Sequence, residues 1–358
     1  MSLLKFFLSK YLKIKQTSKP TPTTGGFTLI ELLVAMIIAA LIIGTLLSFM
    51  LNILTTDRKE QAKSTSEQEI QAAVDYIARD LSQAVYIYDA DGISRNTNSS
   101  DPALSGIRNQ IPPTQPTGGC NAATPTCEPI LVFWKRTSLP RDLPVTSGGT
   151  NTTVGCLLKL ANDTTCSEQD QFVYSLVAYY LIRDNSTTTN WSNAARIGRF
   201  EIRDGIRTTD TTKPSRSEVI GTQPARTVNY LLLPSSGFMP PNLSLAGDLK
   251  ARMNQWTKHS DAYNTNIDVL TDFVDQNVIT GSLPFTCAAP QRVPPATSTT
   301  IPNSFYTCVD STRNFAKVYI RGNALARFNK VSPYNQIQSA YFPTTQIQVE
   351  GRGFLNAR

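Results

Sequence analysis

Few of the 358 residues combine the type and the spacing that chemistry needs. Cys120, Cys127, Cys156, Cys166, Cys287 and Cys308 make an even set, as in a disulfide framework. They fall into neighbouring pairs, Cys120/Cys127, Cys156/Cys166 and Cys287/Cys308, each in or beside a loop, although six thiols formally allow many pairings. Closing loops this short stabilises a fold by roughly 2–4 kcal/mol each. Zinc is a poor fit, because no C-x-x-C occurs and His259 is the single histidine. A catalytic triad would have to use that same His259, in "WTKHSDAY", without a G-x-S-x-G elbow, and no GxxxxGK[ST] phosphate loop is present. His259 therefore reads as a surface or core-edge side chain, the chain reads as a non-enzyme, and no cofactor or metal is expected. Asp268, Asp272 and Asp275 recur at i, i+4 and i+7 within "NTNIDVLTDFVDQNVI", which predicts a helix with Ile267, Leu270, Val274 and Val278 on its other side. Calcium wants roughly six to eight oxygens, more than one rigid helix face supplies, so these carboxylates read as a solvated face. One acid remains: Glu31, at the edge of an unbroken apolar run, "GGFTLIELLVAMIIAALIIGTLLSFML" from Gly25 to Leu51.

The element holding Glu31 is a membrane-length helix. Leu32 to Leu51 carries no charge, is broken only by Gly44, Thr45 and Ser48, and spans roughly 30 Å as a helix, the thickness of a bilayer core. Lys5, Lys10, Lys13, Lys15 and Lys19 precede it, and none lies between Glu31 and Asp57, so the positive-inside rule puts the N-terminus in the cytoplasm and the remainder outside. A secretory signal peptide fits poorly, since its small residues follow the apolar stretch, whereas Gly25 and Gly26 come before it. A carboxylate near the end of a spanning helix can reach the headgroups, at far less cost than the ~2.5–3.5 kcal/mol of a charge at the bilayer centre.

The same lysines account for the formal charge of +7. Five of the 34 basic residues and none of the 27 acidic ones lie in the first 26 positions, which leaves the remainder at +2. Such a chain has no strong electrostatic footprint for phosphate backbones. Arg199, Arg203, Arg207, Arg313, Arg321 and Arg327 could touch phosphates, yet Glu201, Asp204, Asp210 and Asp310 are interleaved, so mixed solvated charge is the preferred reading and nucleic acid is disfavoured as a partner.

Beyond Asp57 the helix is predicted to continue to a turn at Asp91-Gly92, with Ile70, Ala73, Val74, Ile77, Leu81, Ala84 and Val85 forming a stripe that faces the protein's own sheet. After Gly92 the chain reads as strands among long loops, an α+β pattern at 41% hydrophobic residues that supports a real core. Strand candidates are "ILVFWKR" from Ile130, "FVYSLVAYYLIR" from Phe172, "ARIGRFEIR" from Ala195, "TVNYLLL" from Thr227, "FAKVYIRG" from Phe315 and "TTQIQVEG" from Thr344. The Phe172 run is apolar on both alternating faces and should be central. Asp101 to Pro129 and Gly281 to Asn303, dense in Pro, Thr, Ser and Gly, read as irregular loops.

"GGFTLIELLVAM" resembles the signal of type IV prepilins and pseudopilins, and "VDYIARDLSQA" resembles the matching stretch of the larger minor pseudopilins, the PilW and type II secretion J-like group. "VYIRGNALAR" from Val318, with the cysteine-bearing loops, looks like the hormogonium polysaccharide secretion pseudopilins of filamentous cyanobacteria. The resemblance implies cleavage between Gly26 and Phe27 by a prepilin peptidase, N-methylation of the new Phe27 amine, and a registration contact between Phe27 and Glu31 of neighbouring subunits. It implies a cleaved cytoplasmic leader over 1–26, a transmembrane assembly helix over 27–54, an exported half-helix over 55–90 and a periplasmic α+β head over 91–358. The half-helix would pack on an antiparallel sheet in pilin-like fashion, with long disulfide-bearing loops. The implied partners are other major and minor pseudopilins and an inner-membrane assembly platform; the implied place is the inner membrane, crossed once, with incorporation in a short filament that supports export. Two other classes remain open: a membrane-tethered binding protein or enzyme using a prepilin-like anchor, and a DNA-binding competence minor pilin.

Overall fold

A computed structural model describes residues 26–120, 126–158, 166, 170–183, 191–219, 224–276, 287–288, 291–295, 304–328, 334 and 336–353. The chain is α+β and divides into two compact units, one ending at Asp57 and one starting at Arg58. A single helix, Leu29–Ser82, contributes to both.

In the second unit the helix buries Ala62, Ser66, Ile70, Ala73, Val74, Ile77, Asp80 and Leu81, a stripe at three- and four-residue steps. Strands are numbered β1 to β14 along the chain. The larger sheet is antiparallel in the order β1 (Ala84–Ile87), β2 (Thr126–Leu139), β5 (Gln171–Arg183), β6 (Ala195–Arg203) and β10 (Asp268–Val274). The Phe172 run is indeed its middle strand, and Val177 to Leu181 are all buried. A second antiparallel sheet runs β11 (Arg292–Val293), β12 (Phe305–Asp310), β13 (Phe315–Arg321) and β14 (Thr344–Glu350). The hairpin β3 (Pro144–Ser147) and β4 (Thr150–Thr153), and a small sheet of β7 (Ile206–Thr208), β9 (Arg226–Leu232) and β8 (Ser215–Glu218), complete the strands among the described residues.

Both large sheets and the helix stripe share one hydrophobic core. Ile77 and Leu81 are wholly buried in it, each worth roughly 1.5–3 kcal/mol relative to exposure. Trp134 lies edge-on to Phe238 and Trp256 at 5.8 and 5.6 Å between ring centres, and its indole N–H donates to Tyr88 Oη at 3.0 Å. The disulfides are Cys120–Cys127, Cys156–Cys166 and Cys287–Cys308.

Two elements differ from the sequence expectation. The helix stops at Ser82 rather than near Asp91, because "AVYI" is fully buried and pairs with β2, where β-branched and aromatic side chains pack better than on a helix. Gly92 instead sits in the short helix Ala90–Ser94, whose N-cap Asp89 accepts from the Gly92 N–H. The predicted helix over Asn264–Ile279 is strand β10, with 277–279 outside the described residues. Its register against β6 shifts twice, and Phe273 takes a left-handed φ of 57°, so Thr271 and Val274 are buried three residues apart. Bulges thus reproduce a helix-like period in an extended edge strand. Of the loop expectations, Thr126–Pro129 belongs to β2, while most of Gly281–Asn303 lies outside the described residues.

The helix is fastened to the larger sheet by a buried carboxylate. Asp80 Oδ1 lies 2.7 Å from Lys135 Nζ on β2, and Asp80 Oδ2 accepts from Arg199 Nε on β6 at 2.8 Å and from Tyr179 Oη on β5 at 2.7 Å. Glu201 pairs with Arg199 at 2.6 Å and with Lys135 at 3.4 Å, which balances two cations with two anions. Burial by itself raises the Asp80 pKa, but the Arg199 bond and the Arg199 and Lys135 charges outweigh it and hold the carboxyl below its ordinary value. Asp80→Asn leaves two buried cations with one anion and should destabilise the head by about 3–5 kcal/mol in urea unfolding. Because the folded value is the lower one, the Asp80 contribution is whole above about pH 4, the unfolded value, and is lost as pH falls through the folded value. The wild-type chain should therefore lose stability below that point more steeply than Asp80→Asn.

Candidate functional site

The N-terminal motif occupies the start of the long helix. Thr28 is its cap: its carbonyl accepts from Glu31 N at 3.0 Å and Leu32 N at 3.2 Å, and its hydroxyl lies 3.4 Å from Glu31 N. Thr28-Leu29-Ile30-Glu31 has the S/T-x-x-E spacing of a capping box, a sequence signal that hydrophobicity alone obscures. Glu31 in the first turn also meets the positive end of the helix dipole, worth about 0.3–1 kcal/mol. Gly26 and Phe27 precede the helix and are exposed, Phe27 at 80%, so the peptide bond between them is open to an enzyme. If that bond is cut, the new amine stands one helical turn from Glu31, where opposite charges attract strongly in a low dielectric.

Every residue from Gly26 to Gln61 is exposed. An apolar surface that continuous has no partner in its own unit and is long and apolar enough to cross a membrane. Three of its threonine hydroxyls are satisfied internally: Thr45 Oγ1 donates to Ile42 O at 2.9 Å, and Thr55 and Thr56 both donate to Asn52 O at 2.9 Å. Lipid or a neighbouring helix can thus cover these threonines without stranding their hydroxyls. Gly44 meets nothing: a Cβ built there finds no atom within 4 Å.

The remaining sequence candidates are engaged elsewhere. His259 is 8% exposed, its Nε2 faces Ser217 O at 2.9 Å and its Nδ1 faces Asp261 Oδ2 at 2.9 Å. A carbonyl only accepts, so Nε2 carries hydrogen and is not poised as a base. The three aspartates do not share a solvated face: Asp268 is exposed, Asp272 accepts from Ser192 N and Oγ at 2.8 and 2.6 Å, and Asp275 is buried against Arg321 Nε at 2.9 Å. Nor are most of the arginines solvated, since Arg199, Arg207, Arg321 and Arg327 pair with Asp80, Glu218, Asp275 and Glu69. The exposed Arg203 and Arg313, the latter 3.8 Å from Asp310, fit the mixed solvated reading, while Arg199 and Arg207 reach the interleaved Glu201 and Asp204 as well as their buried partners. Among the described residues no group of three or more His, Cys, Asp or Glu could hold a metal ion. A groove of about 550 Å³ beside the helix is lined by Glu69, Tyr76, Trp191, Leu270, Asp272 and Phe273.

Sequence reasoning passed over Asp80 and Lys135. The available signal was a charge at a stripe position, one step after Ile77, and a lysine inside the apolar strand "ILVFWKR". Comparison of the chain with protein-family models, curated proteins and solved structures finds no match.

Since Gly44 touches nothing, Gly44→Leu should leave thermal unfolding of the head within the measurement error of wild type. If the small residue serves close approach of another helix, the same variant should lose association with partner membrane helices in a crosslinking assay.

Proposed function

We propose that this chain is a minor pseudopilin, a single-pass inner-membrane subunit of a type IV pilus or type II secretion-like machine that primes or tips a short filament supporting export. The observation carrying this reading is the open Gly26–Phe27 bond directly before a long helix whose apolar N-terminal part is exposed throughout and whose first turn holds Glu31. Such a helix is built to be covered by lipid before assembly and by other helices after it. Pilin-like packing fits the burial of Ile70 to Leu81 against the head's sheets. A head extending over 91–358 is bulky for close helical repetition, which favours the tip. A prepilin peptidase, other pseudopilins and an assembly platform are the proposed partners, with the head periplasmic or extracellular.

The role of Glu31 would be to set register. A carboxylate taken from water without a cation is costly, so a subunit docked with Glu31 beside a neighbour's Phe27 amine is preferred over a slipped one. Polysaccharide as cargo rests on the likeness of Val318–Arg327 and the cysteine-bearing loops alone. In that stretch a Cβ at Gly322 would lie 3.2 Å from Ile70 Cγ2, Arg327 bonds Glu69 and Arg321 bonds Asp275. Gly322 and Arg327 serve the docking of the helix and Arg321 ties β13 to the end of β10, so the cargo is a weaker part of the proposal than the assembly role.

Glu31→Ala, which removes the charge but not the cleavage site, should be processed and reach the membrane yet fall at least about tenfold in the sheared filament fraction, the equivalent of 1.4 kcal/mol. Recovery of the variant in filaments at the wild-type level would remove the registration role.

A further inference from the structure

Sheet edges carry unpaired N–H and C=O groups, and folded proteins blunt them by shortness, bulges, proline, inward charge or lysine. Three of the four edges of the two large sheets are blunted in this way. β1 has four residues and a register shift after Ala84. β11 has two residues. β10 shifts register twice, and its end is covered by the bonds from Asn323 N to Phe273 O at 2.7 Å and from Asp275 N to Arg321 O at 3.1 Å. The fourth edge is different.

β14, "TTQIQVE", pairs with β13 over seven consecutive positions, Phe315↔Glu350 through Arg321↔Thr344, without a bulge. It contains no proline, glycine or lysine, and its exposure alternates strictly from Thr344 to Glu350. Thr344, Gln346, Gln348 and Glu350 are exposed, whereas Ile347 and Val349 pack on the core. Among the described residues its backbone makes no hydrogen bond except to β13. Glu350 is the one charge on the strand and makes no ion pair among the described residues.

We propose that the free edge of β14 is a docking edge for an extended segment of another polypeptide, added as a further strand of the second sheet. The partner chemistry follows from the two faces of β14. On the inner face, the row of Thr345, Ile347 and Val349 is extended by apolar β-branched residues; on the outer face, Thr344, Gln346 and Gln348 call for polar neighbours and Glu350 for a cation opposite it. A strand of this length buries less than a standard protein–protein interface, so the contact is a weak one that gains from confinement of both partners to one surface. The proposal does not depend on how the N-terminal motif is read.

The test uses the full chain in phosphatidylcholine nanodiscs and a short synthetic peptide of alternating Val and Thr with Lys at one end. Amide hydrogen exchange of Thr344–Glu350 is followed. In the free protein the outward-facing amides exchange fast, and saturating peptide should slow them by about tenfold or more. Gln348→Lys with Glu350→Lys, both at exposed positions, should leave thermal unfolding unchanged and abolish the slowing. Unchanged exchange at millimolar peptide overturns the proposal. So does protection already present without peptide: if independent of protein concentration, another segment of this chain covers the edge, and if it rises with concentration, a second copy does.

Discussion

The head is organised around the burial of a charge. Asp80 sits on the buried side of the helix, where an apolar residue would continue the stripe, and it receives Lys135, Tyr179 and Arg199 from three adjacent strands. An unpaired carboxylate there would cost several kcal/mol, so the helix has one rotation and one height at which β2, β5 and β6 all reach it. Hydrophobic contacts from Ile70 to Leu81 supply the attraction but tolerate sliding; the ion cluster does not. Arg327 to Glu69, at 2.5 Å, and Gly322 beside Ile70 fasten the preceding turns to the segment after β13.

The first unit follows the opposite rule. From Gly26 to Leu54 nothing is buried, the side chains are mostly apolar, and the Thr45 hydroxyl closes on a helix carbonyl. Within it Glu31 is the exception, held at the first turn by a Thr28 cap and the helix dipole. Those local forces explain why a carboxylate is tolerated at that position. They do not require the open Gly26–Phe27 bond, and the combination of the two is what the assembly reading explains.

Much of this was legible in the sequence, for physical reasons that differ by element. The long helix and its stripe follow from period, and the Phe172 run could only be a central strand, because residues apolar on both faces need cover on both. β10 misled because two bulges in an edge strand bury every third residue, which imitates a helix. "AVYI" was absorbed into the helix because its residues extend the apolar stripe, while its β preference is decided by pairing with β2, a contact remote in sequence. The arginines looked solvated because interleaved acids are near them in sequence; their partners Asp80, Glu69 and Asp275 are distant. Local pattern thus exposed the N-terminal motif, which is itself local, and missed the ion cluster, which only folding assembles.

The central claim is that Gly26–Phe27 is a processing site that turns an exposed apolar helix into an assembly element. Intact-mass and N-terminal peptide mass spectrometry of the protein from cells with active prepilin peptidase tests it most directly. The account predicts a mature chain that begins at N-methylated Phe27. A chain that retains its leader in those cells, or that begins at any other residue, would contradict it.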